Sequence, residues 1–302
     1  MIRTKLFAHL QLTRPANVVT AIADILAGFA IAGMGIYLTS FSNSESYLFD
    51  LAWLVLATIG LYAGGVALND VFDADLDALE RPERPIPSGR ASMKSASIMA
   101  FLLLLLGILA AAQVSNTSAL IALGVALCAV LYDYWGKHQN FFGPINMGLC
   151  RAGNLLLGVS VVPELVEKFA FMGLIPLVFV AAITMISRGE VHGKNRTALF
   201  GGVGLYLIII GSLIGIAFVY GEKPFEIIPF ILLFAFMIFP PLIKAIQKQE
   251  PKLIGKAVKA AVISLIILNA SISAAFAGWF YGLLVLVLLP ISLWLARKFA
   301  VT

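Results

Sequence analysis

The stretch NDVFDADLDALERPERPIPSGR, residues 69–90, begins where an apolar run of about twenty residues, the length that crosses a bilayer, comes to an end. Placed on a helix, Asp70, Asp73 and Asp77 fall on one side, because offsets of three and four residues return to nearly the same angle. Asn69 is adjacent and within reach of the same site, whereas Asp75 points elsewhere. Like charges so close repel, so something must compensate them. Hard oxygen ligands at this spacing suit Mg²⁺, which keeps several waters and bridges a few carboxylates to substrate phosphates. Arg81, Arg84 and Arg90 follow at once and suit the same phosphates through charge-assisted hydrogen bonds. A solvated loop at the membrane edge would also be charged. Against that reading, the aspartates begin before the apolar run has ended, and Pro82, Pro85 and Pro87 stiffen the following turn.

The rest of the chain fits a membrane setting. Of its 302 residues 61% are hydrophobic and 12% charged, and mean hydropathy is +0.98. This is the composition of a polytopic helical membrane protein, here expected to form one integral membrane domain over residues 1–302. Cys128 and Cys150 lie in apolar runs and read as small buried hydrophobes. Ten spans are expected, at residues 18–38, 51–70, 95–112, 119–134, 144–162, 169–187, 199–220, 225–246, 258–280 and 283–296, with an aromatic turn at WFYG, residues 279–282. Of the 21 Lys and Arg residues, all but Lys168, Lys223 and Arg151 then fall on one side. The positive-inside rule makes that side cytoplasmic, along with both termini and the opening stretch. The lysines from Lys244 to Lys259 suit an anionic leaflet. Nothing points to nucleic acid.

N-D-x-x-D-x-x-x-D followed by R-P-x-R-P-I-P-S-G resembles the first aspartate-rich motif of the UbiA superfamily of intramembrane prenyltransferases, and TRPAN at residues 13–17 is similar to that family's opening segment. The resemblance implies an all-α bundle of nine to ten transmembrane helices with a central cavity open to the cytoplasm and lipid. It also implies Mg²⁺ on Asp70, Asp73 and Asp77, an isoprenyl diphosphate donor and a hydrophobic acceptor. The expected home is a bacterial plasma membrane.

Such proteins carry a second motif, roughly D-x-x-D-x-x-G-D, four spans later. Here the sequence reads SRGEVHGKNR, residues 187–196, and the three acidic positions become Ser187, Glu190 and Lys194. SRGEVHG is similar to the EboC-type branch. Lys194, with Arg188 or His192, can supply positive charge directly, leaving Glu190 to bind a weaker second metal or orient a water. Alternatively the site binds a prenyl diphosphate without ionising it. His192 is a candidate ligand or base, or simply a polar loop residue.

Arg151 lies inside a span, where a charge normally faces a polar cavity or a partner. Asn146 and Asn154 share its side of the helix, which suggests a diphosphate pocket; snorkelling to the interface is the other reading. Asn17 and Lys137 lie at the same membrane level as the first motif, with Tyr132 and Asp133 beside them. The expected function is Mg²⁺-dependent prenyl transfer inside the membrane, with Glu190 and Lys194 joining the three aspartates in catalysis. The substrate is expected to be held by Asn17, Asn69, Arg81, Arg84, Lys137, Asn146, Arg151, Asn154, Arg188 and His192. The alternative is a non-catalytic carrier of an isoprenoid or other amphiphile.

Overall fold

The computed structural model describes residues 2–35, 45–193, 196–221 and 224–299, and every regular element among them is helical. The chain opens with α1 (Ile2–Leu12) and α2 (Pro15–Ile31). The first motif sits on α3 (Glu45–Phe72) and the short α4 (Ala74–Glu80). Next come α5 (Met93–Ala112), α6 (Asn116–Tyr134), α7 (Phe142–Val159), the single turn α8 (Leu165–Phe169) and α9 (Leu174–Ser187). The second motif begins in α10 (Gly189–His192). The remainder is α11 (Arg196–Tyr220), α12 (Ile228–Lys248), α13 (Pro251–Ala277), α14 (Trp279–Leu286) and α15 (Leu288–Phe299).

Local chemistry sets the boundaries. Pro15 opens α2 and Pro251 opens α13 at positions where a missing N–H costs nothing. Ser92 caps α5 by accepting the Ser95 N–H at 3.1 Å, and Ser115 caps α6 through Ser118 at 3.0 Å. Gly278, at φ 86°, ends α13 in a conformation that side chains rarely adopt, and the chain turns there into the exposed Trp279 and Phe280.

Among the described residues, eight helical stretches are long and apolar enough to cross a membrane, or nine if α1 and α2, bent by 42°, count as one span. Three of the ten expected spans change. The first, 18–38, is a helix only to Ile31 and counts as a span only together with α1, and its last residues, 36–38, lie outside the described residues. The stretch at 144–162 is a helix, α7, but Asn146, Arg151 and Asn154 make it too polar to qualify alone, and it packs against α2, α6 and α9. At the C-terminus the expected break near residue 283 moves back to Gly278, because the glycine and not the aromatic cluster turns the chain. Trp279–Phe299 then forms a 21-residue apolar stretch.

Lipid-facing and core rows separate as membrane packing requires. Phe101, Leu105 and Leu109 on α5 are exposed four residues apart, and Leu120, Leu127 and Leu131 on α6 are exposed at offsets of seven and four. Inside, one apolar cluster joins α9, α11, α12 and α13 around Phe179, Tyr206 and Phe234. A second joins α2, α3, α6 and α7 around Phe29, Leu54 and Leu157. α13 bridges the two, packing on α2, α9, α12 and α14. α2 and α7 approach each other closely at Gly28. A Cβ at Gly28 would lie 2.3 Å from the Leu155 carbonyl oxygen and 2.7 Å from Gly158 Cα, and both obstacles are backbone. We therefore expect Gly28→Ala to push these helices apart and cost about 1–3 kcal/mol of stability, measured by thermal unfolding in detergent.

Candidate functional site

The first motif does not lie on one continuous helix. α3 stops at Phe72, Asp73 takes a non-helical conformation (φ −91°, ψ 3°), and α4 starts at Ala74. The break divides the aspartates. Asp70 and Asp77, both buried, converge on Arg84, whose Nη1 is 3.4 Å from Asp70 Oδ1 and 2.6 Å from Asp77 Oδ2. Asp73 turns the other way and pairs with Lys137 just beyond α6. Asp70 gains a second cation from Arg14 at 2.6 Å. Arg14 is held at φ 46°, a left-handed conformation unusual for a side-chain-bearing residue, in the turn between α1 and α2. Every expected metal ligand thus has a cation of its own. Among the described residues, no three His, Cys, Asp or Glu side chains are grouped to hold a metal ion.

Beside the motif lies a cavity of about 360 Å³. Six helices wall it: α2, α3, α6, α7, α9 and α13. Leu61, Val66, Val125, Val180, Ile183 and Leu265 give it aliphatic sides. Its polar groups include Arg14, Asn17, Asn69 and Asp133 near the helix ends, with Arg151 and Asn154 deeper. Asn17, Asn69, Arg151 and Asn154 are therefore brought together as expected, and Arg14, Tyr62 and Asp133 join them.

Arg151 is not a free cation awaiting a diphosphate. Asp24, fully buried on α2, lies 2.6 Å from its Nη1; Thr20 accepts a bond from Nη2, and the Tyr62 ring stands 5.1 Å from the guanidinium carbon. Asp24 also accepts from Asn154 Nδ2 at 2.9 Å and from Asn269 Nδ2 at 2.6 Å, while Thr58 donates to Asn154 Oδ1 at 2.6 Å. This net ties α2, α3, α7 and α13 together. A lone intramembrane charge is costly, and here the fold supplies the partner that the sequence reading lacked. Asn146 also differs from expectation. With its amide oriented to satisfy its neighbours, it donates to Cys128 O at 3.1 Å and accepts the Tyr132 N–H at 3.0 Å, joining α7 to α6 outside the cavity lining.

The second motif is only partly at the cavity. Ser187 lines it. Arg188 is exposed and clips the α6–α7 loop instead, donating to Gln139 O at 2.6 Å and to Asn140 O at 2.8 Å, so its guanidinium is committed away from the lining. Glu190 is half-buried. Burial pushes its carboxyl above the ordinary glutamate value, against the opposing pull of Arg81, which is itself exposed. The backbone of His192 closes α10; its side chain and all of Lys194 lie outside the described residues. Arg90 serves the loop, donating to Gln11 Oε1 at 2.8 Å and Glu83 O at 2.6 Å.

The donor set nevertheless fits a divalent ion. Two hard carboxylate oxygens, from Asp70 and Asp77, already converge on one cationic position, the Arg84 Nη1. Mg²⁺ is suited by one or two carboxylates, its remaining positions filled by water and phosphate.

Membrane-length helices around an aliphatic cavity with charges gathered at one end describe an integral membrane protein built for an amphiphile. The chain belongs to the UbiA prenyltransferase family, whose model matches residues 26–258. Digeranylgeranylglyceryl phosphate synthase of Methanosarcina mazei is 34% identical over 179 residues, 55% of this chain and 59% of that protein. For the Methanosarcina barkeri protein of the same name the figures are 34% over 123 residues, 41% and 43%, so the chain spans about half the length of these relatives. The Sulfolobus acidocaldarius protein is 29% identical over 231 residues, 72% of this chain and 78% of that one. Among solved structures, one of digeranylgeranylglyceryl phosphate synthase superposes with a TM-score of 0.64 at 20% identity, covering 90% of this chain and 99% of that one. A UbiA homologue from Archaeoglobus fulgidus bound to GPP and Mg²⁺ gives 0.63 at 17%, covering 88% and 99%. These structures share the fold.

The Asp24–Arg151 pair has a measurable signature. Asp24→Asn or Arg151→Met alone should cost about 3–5 kcal/mol by leaving one buried charge uncompensated, and the double variant should lose clearly less than the sum. Thermal unfolding of the four proteins in detergent gives the coupling.

Proposed function

We propose that this chain transfers a prenyl group from an isoprenyl diphosphate to a hydrophobic acceptor within the membrane. The observation that carries the reading is the convergence of Asp70 and Asp77 on one cationic position beside an aliphatic cavity. In this reading Asp70 and Asp77 hold Mg²⁺, with Asp73 completing the motif across the break. When bound, the ion stabilises negative charge on the departing diphosphate.

The chain's own groups do the remainder. Arg14, Arg84 and Lys137, released from their aspartates, bind diphosphate oxygens, with Arg81 at the outer edge and Asn17 and Asn69 as neutral donors. Lys194 adds positive charge from the second motif in place of an aspartate, and Glu190 orients water or a weaker second metal. The aliphatic wall holds the prenyl chain and excludes bulk water, so fixed charges act at low dielectric where the leaving group develops its own. Arg151, neutralised by Asp24, shapes the cavity floor and does not bind the diphosphate. The excess of Lys and Arg on one set of loops supports a cytoplasmic charged end and N-terminus.

The donor panel should include DMAPP and GPP, each bound with Mg²⁺ in Archaeoglobus fulgidus UbiA homologue structures. The relatives' name makes geranylgeranylglyceryl phosphate an acceptor to include. With purified protein in detergent, we expect Mg²⁺-dependent diphosphate release that falls about 100-fold or more in Asp70→Ala, Asp73→Ala or Asp77→Ala. Mg²⁺-dependent donor binding without any release would instead identify a carrier.

A further inference from the structure

Four aspartates are buried among the described residues: Asp24, Asp70, Asp77 and Asp133. The first three stand in ion pairs. Asp133 does not. Its bond is to a neutral amide, Asn69 Nδ2 donating to Oδ1 at 2.9 Å, and no cation among the described residues lies within ion-pair distance. Lys137, one helical turn further on, is taken by Asp73.

A carboxylate buried at a membrane helix end without a counter-ion is costly, and a neutral side chain would serve Asn69 as well. The position of Asp133 indicates what the cost is for. It lines the cavity together with Asn69, and Asn69 precedes the aspartate paired with Arg14 and Arg84. Two contacts fix the end of α6 on the end of α3, Asn69 with Asp133 and Asp73 with Lys137. The carboxylate is thus held on the cavity side of the first motif, beside the place where the prenyl C–O bond would break. The lining is mostly aliphatic; Tyr62 and Tyr132 are its aromatic members, so it offers little stacking surface for an aromatic acceptor.

We propose that Asp133 is the catalytic base for the acceptor and that the acceptor reacts through a hydroxyl group. The inference rests on the prenyl-transfer reading. As the bond between prenyl C1 and the diphosphate oxygen breaks, its electron pair leaves with the diphosphate. The acceptor oxygen forms the new bond to C1, and its proton passes to the Asp133 carboxylate. The products are a prenyl ether, diphosphate and a protonated Asp133, which returns its proton to water when the products leave. A hydroxyl is too weak an acid to lose its proton beforehand, so the proton leaves as the new C–O bond forms, and a carboxylate at the reacting oxygen speeds that transfer.

The test uses the full-length protein in detergent with Mg²⁺, labelled geranylgeranyl diphosphate, and a membrane lipid extract as acceptor source. Labelled lipid, diphosphate release without acceptor, and donor binding are read separately. Asp133→Asn should lower labelled-lipid formation about 100-fold or more, while donor binding and slow hydrolytic release of diphosphate stay within about threefold of the parent protein. A purely structural role would move all three together. If Asp133→Asn fails to bind donor, Asp133→Glu should regain product and Asp133→Gln should not. Undiminished lipid labelling in Asp133→Asn, or equal labelling from the Glu and Gln variants, overturns the role of Asp133 and leaves prenyl transfer standing. Mass spectrometry of the product should find an ether, and a carbon–carbon linkage overturns the hydroxyl class. A parent protein that releases no diphosphate at all overturns the transfer reading and this inference with it.

Discussion

A charge drawn into a bilayer must bring its opposite with it, and that constraint organises this bundle. Asp24 and Arg151 meet 2.6 Å apart in the interior, and the bonds from Asn154, Asn269 and Thr20 that satisfy them come from the helices the cavity needs fixed. Nearer the end of the bundle the same rule pairs Asp70 with Arg14, Asp77 with Arg84 and Asp73 with Lys137. All of these pairs except Asp77 with Arg84, seven residues apart, link elements distant in sequence, so electrostatic necessity also serves as the tertiary glue that apolar contact alone supplies poorly between helices in lipid. The cavity persists because its walls are pinned by polar bonds above and below an aliphatic middle.

Much of this was legible in the chain because the membrane leaves few options for backbone and charge. Apolar runs of bilayer length had to be helices, and the R-P-x-R-P-I-P segment after three acids had to fold back near them. Asn17, Asn69, Arg151 and Asn154 do reach the cavity. What escaped reading depends on partners far away. Asp24 is a single acid in TAIADILAGF, and its arginine lies 127 residues on. The available signal was that two intramembrane charges of opposite sign in so apolar a chain should find each other. Asn146 and Arg188 have the residue types of ligand contacts, yet neighbouring loop and helix backbones claim them, and no periodicity reports such a competition.

The helix break at Asp73 is of the same kind. Helical spacing put three carboxylates on one side, which holds only while the helix continues. One residue out of helical conformation re-aims the middle aspartate and leaves the outer two facing a common point. Spacing put three carboxylates on one side; the fold keeps Asp70 and Asp77 on a common arginine and turns Asp73 to Lys137.

Arg84 has a consequence for how the protein comes to exist. Because its guanidinium already sits between Asp70 and Asp77, the acidic end of α3 is balanced from within, and the repulsion that would splay this corner is absent before any ion arrives. Assembly of the bundle is therefore uncoupled from metal supply. A newly inserted chain can close this corner with its charges already neutralised by its own arginine, before it meets any ligand.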